Sequence, residues 1–92
     1  AIAMPQFLKS ADKANKGKQE ADIRIIKNAA QLYVIDKNPS DTFTVQTLVD
    51  AGYLADHVLT PSKHEYVIAR DPATKAVTVQ GDAEYADTRD NS

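Results

Sequence analysis

Cysteine is absent from this sequence, which excludes disulfide staples and thiolate sites alike. That absence assigns no compartment. Long hydrophobic runs are missing too: no eighteen consecutive apolar residues occur, so no stretch of the given chain is a membrane span. There is no initiator methionine, no charged n-region and no signal-type apolar core. Glycine is scarce, with three residues, and none forms a phosphate-cradling loop. Neither sign of charge dominates, since 11 Lys and Arg stand against 13 Asp and Glu for a net charge of −2. Bulk charge therefore names no partner. No internal repeat or low-complexity segment interrupts the chain.

What is present is one small domain. Ninety-two residues with 42% hydrophobic content make a marginal core, because a chain of this size buries only about two-thirds of its unfolded surface. The rest of the chain is organised around residues 6–37, whose pattern predicts one long amphipathic helix. On a 3.6-residue period Phe7, Ala11, Ala14, Ala21, Ile25, Ala29 and Leu32 fall near one line. Lys9, Lys13, Lys16, Glu20 and Lys27 fall on the far side. A second apolar set, Ile23, Ala30 and Val34, lies roughly opposite the first, with Ile26 and Tyr33 between. A helix in a small monomer needs one buried face. Two faces suggest that the domain's sheet covers one and another molecule the other; alternatively the head wraps far around the helix, or some apolar residues are simply exposed.

Charge is distributed unevenly. Residues 1–37 hold seven Lys and Arg against four Asp and Glu, a net of +3; residues 38–92 hold four against nine, a net of −5. A basic stem and an acidic remainder suit contacts between copies of one molecule. They do not suit a head that binds nucleic acid by neutralising phosphates.

Pro5 fits the first turn of a helix, where its missing N–H costs nothing, and would kink a helix extended upstream. Asp12 with Lys16 and Glu20 with Arg24 are i,i+4 pairs in the favourable order. Gly17 costs about 1 kcal/mol relative to alanine in mid-helix, and Asn38-Pro39 ends the helix. After a polar loop, Thr44 is a plausible N-cap for a short helix carrying Val45, Leu48 and Val49, closed by Gly52 as a left-handed residue. Residues 65–70 and 76–80 alternate as strands, with Tyr66 and Ile68 on one face and Val77 and Val79 on theirs. Residues 71–75, with Pro72, make the turn between them. Two strands alone are barely stable, so residues 84–86 are expected to supply a third. Residues 87–92 are a polar tail.

Candidate chemistry is sparse. His57 and His64 lie in or beside a loop with no HExxH spacing, so solvated loop residues are the better reading than metal ligands. Ser62, His64 and Asp71 can be written as a triad, but nothing in the sequence brings them into reach. Asp82, Glu84, Asp87 and Asp90 form an acidic end able to offer oxygen ligands to calcium, without EF-hand spacing. The helix lysines are interrupted by Asp12, Glu20 and Asp22, which favours a solvated face over a nucleic-acid surface. Nothing argues for an enzyme, and no catalytic, cofactor-binding or metal residue is assigned.

Ala1-Ile2-Ala3-Met4-Pro5-Gln6-Phe7 before a long amphipathic helix resembles the type IV pilin and pseudopilin family. The resemblance is to the place where the hydrophobic half of the pilin helix gives way to the half that packs on the globular head. The family's usual wording there is close to A-I-A-I-P-Q-F, and Pro5 matches its helix-kinking proline. Leu48-Val49-Asp50-Ala51-Gly52-Tyr53-Leu54 is similar to the L-x-x-x-G-Y-L segment that follows the long helix in many short bacterial pilins. The motifs cover about fourteen residues; the order of elements covers the chain. Ala1-Ile2-Ala3-Met4 reads as the end of an apolar segment, so a longer native chain is expected. The leader, the membrane half-helix and the family's characteristic glutamate match no residue here. The frequent C-terminal cysteine pair is absent, and Asn38 stands where an aromatic residue is common.

The resemblance implies an α+β fold, a long N-terminal helix packed on a small antiparallel sheet, in one domain. Its parts are a helical stem (1–37), a loop with a short helix (38–64), a sheet (65–86) and a tail (87–92). It implies a structural filament subunit without cofactor, assembling with copies of itself or related pilins for adhesion, twitching, DNA uptake or secretion. Such a subunit lies at the cell surface and is anchored in the membrane before assembly through an upstream segment. Its acidic head disfavours nucleic acid along the shaft. Pro5, Phe7, Ala11, Ala14, Ile23, Ala30 and Val34 are the expected subunit contacts. Ala21, Ile25, Ala29, Leu32, Leu48, Tyr53, Ile68, Val77 and Val79 are the expected core. The alternative is a soluble module that binds one partner protein through the helix's second face; a small nucleic-acid-binding domain is the third reading.

Overall fold

The structure, a computed structural model, describes the backbone of residues 3–86 and the side chains from residue 12 onward. The expected tail, residues 87–92, lies outside the described residues. The first helix, α1, spans Ala3–Lys37. It stops where Pro39 forces its neighbour out of the α region: Asn38 has φ 45, and its N–H donates to the Val34 carbonyl at 2.9 Å.

Helix α2 (Val45–Asp50) begins as its sequence requires. Thr44 and Thr47 form a reciprocal capping box, each hydroxyl accepting the other's backbone N–H at 3.3 and 3.2 Å. Gly52, at φ 86, closes the helix. Its N–H donates to Val49 and that of Tyr53 to Leu48, the paired bonds of a Schellman turn.

Strands β1 (Val67–Arg70) and β2 (Val77–Gln80) form an antiparallel hairpin with Ile68 opposite Val79. Both of these face inward, while Val67, Ala69, Thr78 and Gln80 face out. At the turn, Asp71 accepts the N–H groups of Ala73 and Thr74 at 2.8 and 3.1 Å, and Lys75 takes the left-handed conformation at φ 67. The overall class is therefore α+β, a long helix with a two-stranded sheet.

The expected third strand is not formed. Residues 84–86 contribute instead to a 3₁₀ turn, Ala83–Tyr85. The chain leaves the sheet at Gly81, and the buried side chain of Gln19 takes both backbone groups of Asp82, donating to its carbonyl at 2.9 Å and accepting its N–H at 2.8 Å. A sheet ladder would need those same two groups.

The rotation of α1 also differs from expectation. Ile26 and Ala30 are fully buried and Ala29 nearly so, whereas Ile25 is 57% and Leu32 56% exposed. Ala21 is exposed as well. One residue along a helix is about 100° around it, so the head covers the face centred near Ile26 and leaves the Ile25 line bare. Polar tethers on that side set the rotation. Besides Gln19, Lys18 Nζ donates to the Leu59 carbonyl at 2.8 Å, the Tyr66 hydroxyl to Asp22 at 2.8 Å and the Tyr53 hydroxyl to Asp36 at 2.8 Å. The core joins this face to Phe43, Val45, Leu48, Tyr66, Ile68, Val77 and Val79. Tyr53, expected inside, is half-buried and stands edge-on to Tyr33, with ring centroids 5.5 Å apart.

Candidate functional site

The residues that carry chemistry in the sequence are each engaged in holding the fold. His57 has one ring nitrogen against Gln46 and the other against Glu65, which links α2 to the segment entering β1. Ser62 and His64 do come together, but around Asp82 and not Asp71. Ser62 N–H donates to Asp82 Oδ2 at 2.9 Å, and His64 Nδ1 lies 3.3 Å from Oδ1. The Ser62 hydroxyl is directed to Glu84 at 3.2 Å, so no serine–histidine pair is poised for nucleophilic attack. Asp71 is committed to its own turn.

Asp82 is the electrostatic centre of the head. Burial pushes its carboxyl up, but the Ser62 N–H, the Thr60 and Ser62 hydroxyls and His64 together hold it below the usual carboxylate range. Two N–H groups hold Asp71 low in the same way. Burial first, then the bond to Asp22, raises the Tyr66 phenol above its ordinary value. Asp82 and Glu84 of the acidic end are thus satisfied by protein donors, while Asp87 and Asp90 lie outside the described residues. Among the described residues no group of three His, Asp or Glu is placed to hold a metal ion.

The expected assembly residues divide three ways. Pro5, Phe7 and Ala11 have side chains outside the described set. Ala14 is exposed. Ile23 and Val34 pack against the core and Ala30 has no exposed surface, so in this fold Ala30 belongs to the head's own interior and not to a contact with a second molecule. Their stripe and the Ile25 stripe have exchanged places.

The surface left over is the more distinctive one. Ala14, Gly17, Ala21, Ile25, Asn28, Leu32 and Ile35 follow one another at spacings of three and four, and all are exposed. Ile35 is 75% exposed. This line runs along the described helix without one charged residue, in a chain that is 26% charged. Its lower half is small and its upper half bulky. Sequence reasoning found four of these positions in its main stripe and assigned three of them to the core; it missed Ile35 and Asn28. The signal was present as an absence: Lys, Arg, Asp and Glu avoid this line, while Asp22 and Lys18 flank the buried face.

Among the described residues no helix is long and apolar enough to cross a membrane. No family model, curated protein or solved structure matches the chain.

Proposed function

We propose that this chain is a structural subunit of a type IV pilin-like filament that packs side by side with its copies through α1. The observation that carries the reading is the exposed, charge-free line from Ala14 to Ile35. Apolar side chains at three- and four-residue spacing form the seam along which helices associate. Ala14, Gly17 and Ala21 let neighbouring backbones approach, and Ile25, Leu32 and Ile35 supply apolar area worth about 25 cal/mol per Å² removed from water. The order of long helix, short helix and hairpin, together with Ala1-Ile2-Ala3-Met4-Pro5-Gln6-Phe7 and the Gly52-Tyr53-Leu54 turn, supports the pilin-like assignment. The contact residues on this reading are Ala14, Ala21, Ile25, Leu32 and Ile35, joined by Pro5, Phe7 and Ala11 from the first turns. The role is architectural and not catalytic. The subunit belongs at the cell surface, held in the membrane before assembly by an apolar segment upstream of Ala1.

Sedimentation of native material tests this directly. A filament subunit pellets as a long polymer, and the double variant Ile25→Asp, Leu32→Asp stays in the supernatant with an unchanged circular dichroism spectrum. Native material that remains monomeric at every concentration overturns the filament reading in favour of a module that binds one partner protein through the same line.

A further inference from the structure

At the edge of the charge-free line, α1 and the segment after α2 enclose a hollow of about 220 Å³. Ile25, Leu54 and Val58 form its apolar walls, and Asp22 and Asp56 stand at its rim. The two carboxylates differ. Asp22 already accepts from Lys18 Nζ at 2.6 Å and from the Tyr66 hydroxyl at 2.8 Å. Asp56 is exposed and, among the described residues, has neither a hydrogen bond nor an ion pair. An apolar slot with a free carboxylate at its mouth has the chemistry to receive a lysine, whose methylene stem lies on apolar surface while its ammonium stays at the polar edge.

We propose that this hollow receives the Lys27 side chain of a second copy of the chain. Lys27 is exposed and likewise has no partner among the described residues. It follows Ile25 by two positions, which places it about 200° around the helix from the hollow. Donor and acceptor therefore lie on opposite sides of α1 at nearly the same height. A two-fold dimer cannot use such a pair twice without bringing opposite faces to one interface. A head-to-tail arrangement uses it once per copy and propagates openly. The stem's net charge of +3 against −5 for the remainder favours the same juxtaposition. Because Ile25 belongs both to the hollow and to the charge-free line, the two surfaces form one continuous contact zone. The inference rests on the filament reading and adds to it the residue that sets the register between neighbours.

The test is zero-length carboxyl-to-amine cross-linking with a carbodiimide, on a mixture of unlabelled and ¹⁵N-labelled chain under assembling conditions. Digestion and mass spectrometry are expected to show an Asp56–Lys27 cross-link in mixed-isotope form, and Asp56→Asn is expected to abolish it. Asp56→Lys is expected to lose assembly, and adding Lys27→Asp in the same chain to restore it. Both positions are exposed, so folding is checked by circular dichroism and should be unchanged. If copies assemble but Asp56 links to other lysines or to none, the Lys27 inference fails while the filament reading stands. If the parent chain does not assemble at all, the filament reading itself fails and the inference falls with it.

Discussion

Gln19 and Asp82, 63 residues apart, are joined by two hydrogen bonds between a side-chain amide and a backbone peptide group. The Gln19 side chain is 1% exposed in effect, since the whole residue keeps only that fraction of its surface. It occupies the place that a neighbouring strand would take beside Asp82, so a helix residue completes the polar requirements of the sheet's exit. A buried amide without such a partner would cost more than it contributes.

Replacing Gln19 by leucine strands the N–H and carbonyl of Asp82 in a buried site. Unfolding in urea is expected to show a loss of about 2–4 kcal/mol. Gly81 abuts the same pair: a Cβ there would come within 2.6 Å of the Gln19 amide and 2.8 Å of the Tyr66 ring. Gly81→Ala is expected to cost about 1–3 kcal/mol through overpacking. In the Gln19→Ala background that cost should shrink, and a double-mutant cycle measures the coupling.

Neighbouring isoleucines should behave in opposite ways. The apolar stripe alone predicts that Ile25→Asp unfolds the domain and Ile23→Asp spares it. The observed burial predicts the reverse. Ile25→Asp, at a 57% exposed position, should alter stability by no more than about 0.5 kcal/mol. Ile26→Ala, at a position with no exposed surface, should cost about 2–5 kcal/mol. Thermal melts of the two variants side by side decide the matter.

Acid should loosen the head through Asp82. Its folded pKa is lowered, so the native state holds the carboxylate more tightly charged than the unfolded chain does. That contribution is fully present above the ordinary carboxylate value near 3.9 and disappears as pH falls through the lower folded value. Asp82→Asn is expected to be less stable than the parent at pH 7, with the gap closing below about pH 4. Asp71 is shifted in the same direction, so part of the acid dependence should survive in the variant. Urea midpoints across that pH range give the measurement.

The elements of this fold were legible where local chemistry decides them. Thr44 before an apolar run marks a helix start, Gly52 a helix stop, and the alternation of Ile68 with Val67 or Val77 with Thr78 a two-faced strand. What local chemistry leaves open is which side of α1 meets the head. Ala14, Ala21 and Ala29 are as compatible with solvent as with a core, so a stripe built largely of alanine fixes no rotation. The bonds made by Gln19, Asp22 and Asp36 do fix it, and their partners lie far away in sequence. The missing third strand has the same origin, because Glu84 and Tyr85 have strand-compatible neighbours but no free ladder beside Asp82. For the candidate site, the presence of an uncovered apolar face was legible and its identity was not.

The direction of the hairpin relative to α1 decides where the chain tolerates additions. Arg70, at the end of β1, reaches the Pro39 carbonyl at 2.8 Å, while Asn15 reaches the Tyr85 hydroxyl at 3.2 Å. The turn at residues 71–76 therefore sits at the far tip, beside the helix's C-terminal end, and is exposed throughout. The last described residues instead lie partway down the stem. A peptide inserted after Pro72 would be carried at the outermost point of the subunit, in the kind of loop tip where insertions are accepted. A fusion that begins beside Tyr85 would start next to the lower helix and crowd whatever packs there.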